Sequence, residues 1–294
     1  MKFIVLSDNK PLPGNDLVLP EHGFSLYFEL KGRRFLYDTG ASGKFIQNAA
    51  QFGIDIKCVD VVIISHGHND HTGGLRELFR INKSAKVYLS SEILFNDYYT
   101  CRRGPKRMLS MDKSLFNEFY DRFVFLNDDT EIFPGITLFF TKDALFSMPV
   151  ANKFLFVTKD GVDYNDNFSH EMSVLINGDK CSDNMSIDNF QVKSSKLRID
   201  EFSETRGIST SDGDVVLSAC SHMGILNILN KASSFSAKIK TFIGGLHLVE
   251  GEFDSDKEIA DIGKTLKREY PQIHIYTGHC TSDRAIQILK HLQE

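Results

Sequence analysis

The sequence predicts an α/β (α+β) fold in which two β-sheets pack face to face and helices cover their outer surfaces, a four-layer αββα sandwich. Short β-rich runs recur along the whole chain, and amphipathic helical patterns follow the first strands and return near the C-terminus. With 294 residues, 41 % of them hydrophobic, the chain can bury a large core. We therefore interpret residues 1–294 as a single domain.

The predicted strands are short runs rich in β-branched and aromatic residues. They are 2–6, 24–30, 33–38, 61–65, 86–89, 123–126, 136–140, 153–157, 172–176, 215–219, 240–244 and 274–277. Lys31 and Gly32 separate the second run from the third, which predicts a β-hairpin.

Three helices are predicted from periodic patterns: one directly after Gly73 and Gly74, one over 255–270 and one over 282–294. The last two begin at Ser255 and Ser282, because serine is a favoured N-cap residue. Two segments lack a clear period. Residues 95–122 mix aromatic and basic side chains and are interpreted as a cap over a cleft, and the polar residues 178–213 as an insertion or surface loop.

Composition and charge argue against a nucleic-acid-binding, secreted or membrane protein. The formal net charge of −5 gives no reason to expect nucleic acid as a partner. The N-terminal apolar run is too short for a signal peptide, and no run approaches the roughly 18 apolar residues of a membrane helix. An odd number of dispersed cysteines without a CxxC pair favours a reducing, cytoplasmic setting; they are Cys58, Cys101, Cys181, Cys220 and Cys280. The oligomeric state stays open.

The strongest signal is SHGHNDHTGGL, which directly follows the apolar run 61–65. Residues two apart on an extended loop point the same way, so His66 and His68 can chelate one metal ion. Asp70 and His71, in the turn toward the next helix, can face a second ion. Imidazole and carboxylate are ligands that zinc prefers.

Further candidate ligands stand where other predicted strands end, since strand-end loops present functional groups in such folds. His222 and His279 are interpreted as metal ligands. His247 is open between a functional and a structural histidine; in the functional interpretation it joins Asp70 as a catalytic residue. Asp70 would both bind an ion and orient the nucleophile.

Other polar groups near these positions each have two interpretations. His170 could complete the first metal site, although residues 202–205 could occupy the same place. Cys220 and Cys280 adjoin candidate ligands, and each is either a zinc-binding thiolate or a small buried residue. Asp38 in LYDTG either caps a turn or orients a metal-bound histidine.

These motifs resemble the metallo-β-lactamase superfamily, through HxHxDH after a hydrophobic strand and the preceding DTG turn. The larger set, EHGFSLYFE, LYDTG, SHGHNDHTGGL, ACSHMGI, IGGLHL and TGHCT, spans residues 21–281. It is similar to the branch of the archaeal dihydropterin ribofuranosylaminobenzene 5′-phosphate synthases of methanopterin biosynthesis and their bacterial relatives. The resemblance implies a dinuclear centre held by His66, His68, Asp70, His71, His222 and His279.

Two positions refine what the resemblance implies. His68 stands where the di-iron redox members carry Glu, which favours zinc-type hydrolytic chemistry. Cys220 lies where many superfamily hydrolases carry a metal-bridging Asp, so the identity of the bridging ligand stays open.

The predicted function is that of a hydrolase with two divalent metal ions, zinc first and manganese or iron as alternatives. Such ions lower the pKa of bound water toward about 7 and so provide a hydroxide nucleophile. A small anionic or phosphorylated substrate would be bound by the basic cluster of residues 102–107, which is otherwise a solvated loop; its members are Arg102, Arg103, Lys106 and Arg107. A synthase-like transferase and a non-catalytic metal or ligand sensor are the alternative functions.

Overall fold

The protein is described from a computed structural model that covers residues 1–102, 104–181, 196–210, 213–249, 251 and 253–292. Within these ranges two seven-stranded sheets pack face to face, helices cover both outer surfaces, and a third, four-stranded sheet lies beside them. The predicted αββα sandwich is confirmed. Strands and helices are numbered below in chain order.

The first sheet has the order β15-β1-β2-β3-β4-β5-β8. Its strands are β1 (Lys2–Ser7), β2 (Ser25–Leu30), β3 (Arg33–Tyr37), β4 (Val61–Ile63), β5 (Lys86–Ser90), β8 (Phe123–Leu126) and β15 (Gly207–Ser209). The hairpin between β2 and β3 turns at Lys31 and Gly32, whose φ angles of 48° and 72° are both positive. Two positive φ angles are the requirement of the tight turn that suits twisted strands.

The second sheet has the order β14-β18-β17-β16-β13-β10-β9. Its strands are β9 (Thr130–Phe133), β10 (Ile136–Phe140), β13 (Met172–Ile176), β14 (Arg198–Glu201), β16 (Asp214–Leu217), β17 (Ile239–Ile243) and β18 (His274–Thr277). Because β16, β17 and β18 are parallel, the loops after them emerge at the same edge of the sheet.

The third sheet has the order β12-β11-β6-β7, with β6 (Asp97–Thr100), β7 (Arg107–Met108), β11 (Leu155–Lys159) and β12 (Val162–Asn165). The helices are α1 (Lys44–Gln51), α2 (Asn69–Thr72), α3 (Leu75–Ile81), α4 (Glu92–Phe95), α5 (Ser114–Phe119), α6 (Gly178–Cys181), α7 (Ile225–Ser233), α8 (Asp256–Glu269) and α9 (Asp283–His291). The N-caps of the predicted C-terminal helices are confirmed, because Ser255 accepts from Glu258 N–H and Ser282 accepts from Ala285 N–H.

The layers follow from the alternation of side chains along each strand. In β1, Phe3 and Val5 enter the core between the two sheets, whereas Ile4 and Leu6 pack outward in the core under the helices. In β16, Val216 likewise packs outward beneath the C-terminal helices. Among the described residues, no helix combines the length and apolar character needed to cross a membrane.

The segment 178–213, interpreted from the sequence as an insertion or surface loop, contains strands of the two main sheets. Residues 182–195 and 211–212 of this segment lie outside the described residues. The remainder contributes β14 and β15, one edge strand to each main sheet. These strands span only four and three residues, which is too short for alternation to be recognised in the sequence. The segment 95–122 likewise contributes β6 and β7 to the third sheet, followed by α5.

Candidate metal centre

Loops that follow β4, β16, β17 and β18 meet at one edge of the two main sheets. The HxHxDH motif leaves β4 in extended form and turns at His68, which has extended backbone angles and caps the short helix α2. Asp70 and His71 lie in that single helical turn. The strand, the extended loop and the turn therefore present the four side chains in two pairs, as the spacing predicts.

The first trio consists of His66, His68 and His222, whose ligand atoms all lie within 4.8 Å of one another. Nε2 of His66 lies 3.0 Å from Nδ1 of His68. Burial lowers the pKa of His68 to about 3 and holds the pKa of His66 and His222 well below the usual value. All three imidazoles are therefore neutral, which is the form that binds metal.

Orphaned nitrogen atoms test whether this trio fits an ion. Nε2 of His222 and Nε2 of His68 are buried and have no hydrogen-bond partner in the described part of the chain. A buried polar atom without a partner costs about 1–3 kcal/mol. A divalent cation between the imidazoles would satisfy such atoms, so the residues present fit a metal ion.

The second trio consists of Asp70, His71 and His279. Asp70 Oδ2 lies 3.4 Å from His71 Nε2 and 3.6 Å from His279 Nε2, and the two Nε2 atoms are 3.2 Å apart. Burial opposes ionisation of Asp70, but His71, His279 and His22 hold its pKa well below the usual value. Burial lowers the pKa of His279 to about 4. Against burial, Asp70 and Asp38 raise the pKa of His71 to about 10.

Cys220 lies between the two trios. Its Sγ is 3.2 Å from His71 Nε2, and it shares a compact ligand group with His66 and His71. The side chain is buried and the thiol is free, and burial raises its pKa. Cys220 thus lies next to one histidine of each trio, His66 and His71.

Asp38 supports one histidine of each trio, as its functional interpretation predicts. Its Oδ2 lies 2.7 Å from His71 Nδ1 and accepts from the Ser65 hydroxyl at 2.6 Å. The same hydroxyl lies 2.8 Å from His66 Nδ1. With both Nδ1 atoms engaged, the Nε2 atoms of His66 and His71 are directed toward the ligand groups. Asp38 adopts a positive φ of 60°, a conformation uncommon outside glycine.

Two asparagines that sequence reasoning missed clamp the distant histidines in the same way. Asn152 Oδ1 lies 3.2 Å from His222 Nδ1, and its amide group donates to the His222 carbonyl at 2.7 Å. Asn9 Oδ1 lies 3.0 Å from His279 Nδ1, and its amide donates to the His279 carbonyl at 2.8 Å. Each clamp fixes ring and backbone together. The one sequence feature that could have indicated such a role was the position of Asn9 just after strand β1.

His170 and His247 differ in how their rings are bound. His170 Nδ1 accepts from Gly67 N–H of the motif loop at 3.2 Å, and Nε2 lies 3.1 Å from Asp166 Oδ2, so both ring nitrogens have a partner. Both ring nitrogens of His247 are buried without a partner among the described residues. The His247 ring lies 4.1 Å from that of His222, near Cys220 and Cys280. His247 thus lies beside the first trio, in a compact group with the thiols of Cys220 and Cys280.

A cleft of about 340 Å³ opens above both trios. Side chains from the metal loops form its floor, and residues from the third sheet and nearby loops form its walls, including Thr100, Arg102, Arg107, Leu109, Leu155 and Val249. The main chain ties this wall to the motif, because Asn69 N–H donates to the Leu109 carbonyl at 2.6 Å and Met111 N–H donates to the Gly67 carbonyl at 3.0 Å.

The predicted basic cluster does not act as a unit. Arg102 and Arg107 line the cleft. Lys106 instead pairs with Asp163 and lies over the Tyr99 ring, 4.0 Å from its centroid. Arg103 lies outside the described residues. Successive residues of an extended segment point to opposite faces, which separates Lys106 from Arg107.

Known proteins with this fold provide an independent test. Residues 18–142 match the family model described as Metallo-beta-lactamase superfamily. The crystal structure of Tm1679, titled a metal-dependent hydrolase of the beta-lactamase superfamily, superposes with a TM-score of 0.73 and 28 % identity, covering 100 % of this chain and 93 % of that one. The metallo-beta-lactamase fold protein YhfI from Bacillus subtilis superposes with a TM-score of 0.50 and 12 % identity. The superposition covers 99 % of this chain and 92 % of YhfI. The chain is thus similar to the metallo-β-lactamase superfamily, whose members generally bind divalent metals, and it shares the metallo-β-lactamase fold.

Within this superfamily the resemblance to the methanopterin branch is confirmed. The chain is similar to 7,8-dihydropterin-6-methyl-4-(beta-D-ribofuranosyl)-aminobenzene-5'-phosphate synthase of Methanocaldococcus jannaschii. The two are 27 % identical over 280 residues, which cover 90 % of this chain and 82 % of the relative.

Proposed function

We propose that the protein is a dinuclear metal-dependent hydrolase that acts on a small anionic or phosphorylated molecule. The observation that carries the proposal is that two ligand trios, defined by the short distances between their ligand atoms, lie side by side at a cleft lined by Arg102 and Arg107. A cleft open to ligand suits an enzyme better than a sensor with a closed coordination sphere. Its size, about 340 Å³, suits a small molecule.

The first trio would hold one ion and the second trio the other, with Cys220 between them. Zinc fits this set of imidazole, carboxylate and thiolate donors best, and manganese and iron are the other ions to test. When bound, such ions act as Lewis acids and lower the pKa of a bound water. Within the protein, Asp70 would orient the attacking water, and His247, which lines the cleft, would act on the substrate as proton donor or anion-binding group.

Arg102 and Arg107 would hold the anionic group of the substrate, because guanidinium groups bind phosphate through paired hydrogen bonds. Leu109, Leu155 and Val249 offer apolar contacts to the remainder of the molecule. The free thiols of Cys220 and Cys280 suit a reducing compartment, and we place the protein in the cytoplasm on that ground.

A transferase related to the methanopterin-branch synthase is the second candidate. The 27 % identity to that synthase over 90 % of the chain favours it. The arginine-lined cleft would equally accept a phosphorylated pterin or ribose. The two candidates share the metal centre and differ only in whether water or another nucleophile attacks.

Metal analysis followed by a substrate screen tests the proposal. We expect about two equivalents of a transition metal per chain in protein purified without chelator. Turnover should appear with phosphodiesters, lactones, thioesters or pterin phosphates and disappear in Asp70→Ala. The exposed-helix variant His291→Ala is the control and should retain full activity. Well under one equivalent of metal, with none taken up on reconstitution, would contradict the proposed centre.

A further inference from the structure

A second pocket lies behind the loop that carries His247, on the side away from the metal cleft. Its volume is about 270 Å³. Leu246 and Leu248 line this pocket, whereas His247 between them lines the metal cleft. The remaining walls come from residues 146–150, the start of α7 and one face of α8.

Most of the pocket wall is apolar. Besides the two leucines, the apolar lining side chains are Phe146, Met148, Pro149, Val150, Ile225, Leu226 and Ile262. An apolar cavity with a few polar groups is the usual form of a site for a small organic ligand.

One buried carboxylate breaks the apolar lining. Asp254 is 7 % exposed, and its Oδ1 accepts from Val150 N–H at 3.1 Å. Its Oδ2 is buried and has no hydrogen-bond partner in the ranges that the structure describes. Burial, followed by the nearby charge of Glu258, raises the pKa of Asp254. Asp254 Oδ2 could therefore accept a hydrogen bond from an N–H donor or pair with a positive charge.

In the described part of the chain, no lysine or arginine side chain pairs with the Asp254 carboxylate, and His247 is the basic group whose charge acts on it. None of the described lining residues is basic, and Glu258 and Asp261 add further acidic groups. Arg284 approaches the main chain only: it donates to the Asp254 carbonyl at 3.0 Å, and its guanidinium pairs with Asp256. The pocket therefore combines apolar walls with an uncompensated acidic group.

We propose that this pocket binds a small organic cation, in which an ammonium, guanidinium or amidinium group meets Asp254 and a short hydrocarbon body contacts the leucine-rich wall. A positive group with N–H donors satisfies both the buried oxygen and the excess of acidic side chains. The site is separate from the metal centre and is independent of the reaction proposed above.

Calorimetry with n-pentylguanidinium and its neutral analogue n-pentylurea tests the proposal. The two probes share size and shape, and guanidinium is a poor zinc ligand at neutral pH because it stays protonated. We expect one guanidinium bound per chain, at least about tenfold more tightly than the urea, since a charge-assisted hydrogen bond is worth more than a neutral one. Equal affinity for both probes, or no saturation by about 10 mM guanidinium, would overturn the proposal.

Variants locate the binding site. Asp254→Asn keeps an acceptor for Val150 N–H and removes the charge, so it should lower guanidinium affinity at least about tenfold and leave urea binding unchanged. Thr265→Phe, at the partly exposed rim on α8, should block both probes with Asp254 intact. Asp256→Asn is the matched control and should bind like the wild type. If Asp254→Asn and Thr265→Phe both bind guanidinium normally, the proposed site is wrong.

Discussion

The two trios at the candidate metal centre contain different ionisable groups. The first trio has three neutral imidazoles in apolar surroundings, where the Phe168 ring stacks on His222 at 4.3 Å. The second trio contains the ionised Asp70, and Asp38 lies behind His71. Carboxylates offset the charge of a dication in a low-dielectric site, whereas neutral imidazoles do not. Similar geometry at neighbouring positions thus creates two sites with different electrostatic character.

The largest expected effect comes from removing one ligand from each trio. We expect His68→Ala and Asp70→Ala each to lower turnover at least about a hundredfold, because each change removes a group that positions the metal and the nucleophile. Each variant should retain about one equivalent of metal, in the trio that was left intact. Kinetics and elemental analysis on the same samples provide the measurement. Near wild-type turnover in either variant at full metal content would contradict the two-site assignment.

Substitution of Asp38 tests whether one carboxylate positions a histidine in each trio. Asp38→Asn should weaken the binding of both ions by about 10- to 100-fold, because the carboxylate holds His71 directly and His66 through Ser65. Competition with a chelator measures the two affinities. Asp60→Asn, a change on the exposed strand start, is the control. Loss of affinity at one ion alone would show that the shared support is not functional.

Asn152 and Asn9 allow the metal affinity of each trio to be tested separately. Asn152→Ala should lower the metal affinity of the first trio about tenfold, because it frees the His222 ring. Asn9→Ala should lower the metal affinity of the second trio by a similar factor, because it frees the His279 ring. Chelator titration of each variant in the His68→Ala and Asp70→Ala backgrounds identifies the affected site. If both asparagine changes acted on the same ion, the assignment of His222 and His279 to different trios would fail.

The smallest expected effect is on substrate binding. Arg102→Gln and Arg107→Gln should raise KM for an anionic substrate about three- to tenfold, and more at low salt, where screening is weak. Lys106→Gln is a matched control, because Lys106 is already paired with Asp163. Steady-state kinetics with an anionic and a neutral substrate would decide. Equal effects of all three changes on both substrates would indicate a solvated surface cluster.

Local patterns in the sequence determined the strands, the helix starts at Ser255 and Ser282, and the order of ligands in the HxHxDH motif. These features depend on neighbours a few residues apart, whose relative positions are restricted by the chain itself. The helices α1 and α7 were missed because each is short and begins after a glycine without a side-chain cap, and the edge strands were missed because they span only three or four residues.

The tertiary structure alone decided which groups surround each ligand. Asn9 meets His279 across 270 positions of sequence, and Asn152 meets His222 across 70. It also decided that Arg107 lines the cleft while Lys106, one residue before it, pairs with Asp163. Such contacts depend on how distant strands converge at one sheet edge, and no spacing within a single segment encodes that convergence.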